Sequence, residues 1–115
     1  MAKSKKARGA LAQDAPGAAG ERRKLRAEEV TSRLEVLRGW SQRRGGGPIE
    51  RTYVLPTFRA SLAFVAFVGE LAEARNHHPD IDIRYNRVTL ALSTHDAGGV
   101  TAKDFELAGL VDAGA

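Results

Sequence analysis

All three histidines of the chain, His77, His78 and His95, fall within residues 73–104, together with the carboxylates Glu73 and Asp104. Imidazole is the side chain whose ordinary pKa lies near neutrality. A histidine cluster can therefore both give and take protons at physiological pH, with no metal or redox cofactor. Three histidines are also a candidate zinc set. Against zinc, His77 and His78 are adjacent, and neighbours in extended chain point to opposite sides, so both reach one ion with difficulty. Pro79 holds His78 extended. One of the pair should face a pocket squarely and the other should line its edge. Glu73 and Asp104 have plain structural readings too, as a solvated helix-end group and a helix cap.

The histidines need an element that brings them together. Ile81/Ile83 and Val88/Leu90/Leu92 alternate with period two, which predicts two strands. Tyr85 and Asn86 between them suit a tight hairpin, because Asn tolerates the turn geometry. Arg84 then faces Arg87, and the same register places position 95 opposite position 76, beside His77. The three histidines meet at the open end of one hairpin, although His95 lies 17 residues beyond His78.

These residues carry a resemblance. Glu73-x-x-x-His77-His78-Pro79, then Tyr85-Asn86, then Ser93-Thr94-His95, resembles the signature of the pterin-4a-carbinolamine dehydratases. The likeness runs back through Gly39-Trp40 and forward through Asp104, and covers roughly residues 25–112. Ile81 departs from the animal members, which carry an aromatic there. The resemblance implies dehydration of 4a-hydroxytetrahydrobiopterin to quinonoid dihydropterin and water. It implies His77 and His95 as the acid–base pair, His78 as orienting the substrate, and Glu73, Pro79, Ser93, Thr94 and Asp104 as the substrate-binding set. No cofactor and no metal are expected. A homodimer or homotetramer is implied, as is a link to an aromatic amino acid hydroxylase pathway. Animal relatives double as dimerisation cofactors of a transcription factor, so a non-catalytic binding or regulatory role on the same fold is the alternative.

The flanking elements read as follows. Val30, Leu34 and Leu37 predict a helix over 25–38 with Gly39 as its stop. Trp40 reads as a core or rim aromatic rather than a pocket wall, and 40–43 as a short strand. Residues 49–55 alternate as a strand ended by Pro56. Thr57 caps a helix to about Arg75. That helix has apolar groups on two faces, and one small sheet covers only one of them, so the second predicts a subunit contact through Phe64 or Phe67. Thr101 with Asp104 at the third helical position predicts a capped C-terminal helix ending near Gly114. The expected fold is α+β, a four-stranded antiparallel sheet with three helices packed on one face.

The 115 residues, 43% of them apolar, suit one small domain, 25–115, behind a basic Ala/Gly-rich tail, 1–24, expected to be disordered. The net charge of +4 suggests nucleic acid until it is mapped. Residues 1–26 hold eight basic and two acidic side chains, a surplus of +6, and residues 27–115 hold ten and twelve, a deficit of 2. The basicity belongs to the tail, which argues against nucleic acid as a partner of the domain. The chain has no cysteine, no apolar signal segment and no run long enough to span a bilayer. A cytoplasmic protein is expected.

Overall fold

The structure is a computed structural model and describes residues 22–115. The expected tail lies outside the described residues except for Arg22, Arg23 and Lys24. In chain order the elements are α1 (Ala27–Val36), β1 (Ser41–Gln42), β2 (Ile49–Val54), α2 (Phe58–Arg75), β3 (Asp80–Arg84), β4 (Arg87–Leu92), a 3-10 turn (His95–Ala97) and α3 (Ala102–Gly114). The four strands form one antiparallel sheet in the order β1-β2-β4-β3. This is the expected α+β architecture.

The strand pattern sorts the two faces of the sheet. Facing residues of antiparallel strands share a face. The rows Ile49↔Leu92 and Tyr53↔Val88 therefore join Leu90 on one side, and all five of these side chains are buried. The other side carries Glu50, Thr52 and Thr89, with Thr52 and Thr89 hydrogen-bonded at 2.8 Å. The buried stripe of α2 is Ser61, Phe64, Val68 and Ala72, at helical spacing. Val30 of α1 and Phe105, Leu107, Ala108 and Val111 of α3 complete the core. Each large aliphatic buried here stabilises the fold by about 1.5–3 kcal/mol.

Local signals explain most boundaries. Thr57 caps α2 by accepting from the Ala60 N–H at 3.0 Å. α1 is shorter than 25–38, because Arg26 is extended and Leu37 has left helical geometry. Leu25 is instead a buried plug whose N–H donates to the Val100 carbonyl at 2.8 Å. Just before it, Arg23 grips Glu29 with two hydrogen bonds of 3.0 and 2.9 Å. The Arg23 guanidinium, helped by the Arg26 N–H, holds the Glu29 carboxyl down at about 2. A depressed carboxylate contributes above its ordinary pKa and is lost as pH falls through the folded value, so this anchor is intact at neutral pH. The hairpin turn is where Tyr85 and Asn86 predict it, but Tyr85 takes the left-handed conformation, φ 54°. Asn86 instead donates to the Leu55 carbonyl at 3.1 Å.

α3 is tied to the sheet by one carboxylate. Asp112 accepts from Trp40 Nε1 at 3.0 Å and from Tyr53 Oη at 2.5 Å, and pairs with Arg51 at 3.2 Å. Burial, then the Asp112 carboxylate, push the Tyr53 phenol well above its usual range, so it stays a donor. Trp40 is thus a core aromatic. The outward face of α2 corrects the expectation for Phe64 and Phe67. Phe64 is buried against Tyr53, with ring centroids 4.6 Å apart, and Phe67 is half-buried beside it. The exposed apolar groups are Phe58 and Leu62, 45% and 47% exposed. Among the described residues no helix is long and apolar enough to cross a membrane.

Candidate active site

The α2 terminus and the two ends of the β3–β4 hairpin meet in one place. α2 ends at Asn76, left-handed at φ 50° and ψ 43°, the conformation that reverses a chain after a helix and that Asn tolerates. The next N–H, of His77, closes on the Ala72 carbonyl at 3.0 Å. This delivers His77 and His78 immediately before β3. The hairpin ladder stops at Asp80↔Ala91, so positions 76 and 95 do not pair. His95 arrives by another route. Thr94 bridges to Gly99, with its N–H donating to the Gly99 carbonyl at 2.8 Å, and the loop between them winds into the 3-10 turn that starts at His95.

The result is a half-open cleft of about 600 Å³ lined by His77, His78 and His95, by Ser93 and Thr94, and by Asn76. Asp96, Ala97, Arg22 and Lys103 complete its lining. The volume lies within the usual range for small-molecule sites. The adjacent histidines differ as their alternation predicts. The His77 side chain is 11% exposed and that of His78 is 56% exposed.

His77 is backed by a buried network. Its Nε2 lies 2.5 Å from Asp104 Oδ1, and Asp104 is fully buried. The other oxygen, Oδ2, accepts from the Thr101 N–H at 2.8 Å and from Thr94 Oγ1 at 2.9 Å. Thr94 gives its proton to Asp104, so Thr101 Oγ1, at 2.7 Å, donates to Thr94 and accepts the Lys103 N–H at 3.3 Å. A carboxylate that receives this many donors acts as an acceptor toward His77 too. The Nε2 of His77 therefore carries the proton, and its Nδ1 is left with the lone pair. Nδ1 has no hydrogen-bond partner among the described residues. The pattern of a carboxylate behind an imidazole fixes the ring's orientation and tautomer. Asp104 also caps α3, so its two readings are one arrangement.

The other expected site residues fall as follows. Glu73 lies outside the cleft lining, and its exposed carboxylate meets His78 Nε2 at 2.6 Å. Pro79 is half-buried and leads the chain into β3 without lining the cleft. Asp104 touches His77, not the open space. Five lining residues, Arg22, Asn76, Asp96, Ala97 and Lys103, have no site role in the sequence reading. Asn76 was findable as an Asn just past a helix. The run of basic residues assigns Arg22 to the tail. Among the described residues no group of three or more His, Cys, Asp or Glu side chains is placed to hold a metal ion.

The profile of the protein family described as "Pterin 4 alpha carbinolamine dehydratase" matches residues 23–113. A protein of Roseiflexus castenholzii named "Putative pterin-4-alpha-carbinolamine dehydratase" is 56% identical over 84 residues, covering 73% of this chain and 88% of its own length. One of the same name from Chloroflexus aggregans is 53% identical over 89 residues, covering 77% and 94%. A crystal structure from Brucella melitensis described as a "transcriptional coactivator/pterin dehydratase" superposes with a TM-score of 0.75 at 33% identity, covering 78% of this chain and 96% of that one.

Proposed function

Because the chain belongs to the pterin 4 alpha carbinolamine dehydratase family, we propose that it removes water from a 4a-hydroxytetrahydropterin to give the quinonoid dihydropterin. The observation that carries this reading is the convergence of three imidazoles on one cleft, with His77 held from behind by a buried carboxylate. In the reaction the C4a–O bond breaks, the hydroxyl leaves as water after gaining a proton, and a ring N–H proton departs as the C=N bond forms. No electron changes hands. His77 takes the ring proton at Nδ1, with Asp104 stabilising the imidazolium. His95 protonates the leaving hydroxyl. His78, steadied by Glu73, orients the ring, and Ser93 and Thr94 meet its polar edge. A pterin-dependent hydroxylation is the class of reaction that supplies such a substrate.

The test is dehydration of synthetic 4a-hydroxytetrahydropterin, followed by ultraviolet absorbance, with protein well below substrate concentration. Multiple turnovers above the spontaneous rate are expected. The name of the Brucella structure supports a second reading, a regulatory binding role. That role alone predicts ligand binding with no turnover.

The same reading includes self-association through the outward face of α2. Phe58 and Leu62 leave apolar surface in water, and monomers seldom keep such patches uncovered. Burying one such side chain is worth about 1.5–3 kcal/mol, so Leu62→Glu should shift the protein toward monomer in sedimentation with its fold kept. Phe64→Glu should unfold it, since Phe64 is in the core. A wild type that sediments as a monomer at micromolar concentration contradicts this part.

A further inference from the structure

We propose that the cleft is built for a pterin whose side chain carries a phosphate ester, with Arg22 and Lys103 as the residues that bind the phosphate. This rests on the dehydratase reading and narrows its substrate. The cleft lining holds two permanent cations, Arg22 and Lys103, against the single carboxylate of Asp96. The pterin ring and the loss of water give those cations nothing to do. The ring edge is a neutral array of donors and acceptors, and the proton transfers are met by imidazoles.

Neither cation is placed there for the fold. Lys103 sits in the first turn of α3, the end at which the helix dipole disfavours positive charge. Thr101 and Asp104 already cap that turn, so the ammonium adds nothing to the capping. Arg22 leads directly into two anchors, Arg23 on Glu29 and Leu25 on Val100. Among the described residues neither Arg22 nor Lys103 forms an ion pair within 4 Å, whereas six other arginines do. Cations from two separate elements suit a tetrahedral dianion, which takes donors from several directions. A carboxylate is better matched by one planar fork.

The experiment compares kcat/KM for two 4a-hydroxytetrahydropterins, one with a neutral hydroxylated side chain and one with that side chain phosphorylated. The wild type should prefer the phosphorylated substrate by about tenfold or more, the effect of one net charge-assisted contact. The preference should shrink as salt is raised. In Lys103→Gln and Arg22→Gln the ratio should fall toward one, and Lys103→Arg should keep it. A wild type with no preference, or a ratio unchanged in both glutamine variants, overturns the proposal. If neither compound is turned over, the dehydratase reading fails by itself. Calorimetry with the unreactive 7,8-dihydropterins, phosphorylated and not, then still decides the phosphate site, with equal affinities overturning it.

Discussion

His77→Ala is expected to lower the dehydration rate by about 10²–10⁴-fold, the contribution typical of a positioned proton-transfer group. His77 is the most enclosed of the three imidazoles that line the cleft, and its free Nδ1 is the atom able to take a proton. Its loss is not purely catalytic. The side chain is 11% exposed and bonded to a buried carboxylate, so removing it leaves Asp104 short of one donor, at a cost of about 1–3 kcal/mol. The variant should therefore melt several degrees below wild type while staying folded at 25 °C. Circular dichroism against temperature, run beside the rate assay, separates the two effects. An unchanged rate removes His77 from the mechanism.

Asp104→Asn should lower both rate and stability. The carboxylate accepts from His77, Thr94 and the Thr101 N–H. An amide turns one of the two acceptor oxygens into a donor, which then faces either His77 or the Thr94 and Thr101 donors, so at least one buried hydrogen bond is lost or reversed and the His77 ring loses its fixed acceptor. About 1–3 kcal/mol of destabilisation is expected, or roughly 4–8 °C of melting temperature per kcal/mol in a domain of this size. The rate effect should depend on His77. Combined with His77→Ala, the Asp104→Asn change should add little further loss of rate, because both act through one imidazole. Two rate losses that multiply fully in the double variant would show that Asp104 acts independently of His77.

What was legible in the chain was mostly local. The Arg84–Arg87 register follows from period-two alternation around a two-residue turn, and the α2 and α3 caps follow from Thr57, Thr101 and Asp104. The meeting of the histidines at one end of the hairpin was legible, but not its cause. Extending the ladder would have paired 76 with 95, whereas a left-handed Asn76 and the Thr94–Gly99 bridge do the work. The outward face of α2 was not legible, because Phe58, Leu62, Phe64 and Phe67 are all apolar and only tertiary packing sorts them. The Asp112 cluster joins residues up to 72 positions apart, and no spacing rule reaches that far. Arg22 looked like part of a charged tail because its neighbours in sequence are basic, while its place beside the cleft depends on Leu25 and Val100 meeting.

The most direct test of the central claim sets wild type and His77→Ala side by side in the dehydration assay, at equal protein concentration and with the spontaneous reaction subtracted. The account predicts many turnovers per wild-type subunit and a His77→Ala rate close to the spontaneous one. A wild type no faster than buffer, or a His77→Ala variant as fast as wild type, would contradict it.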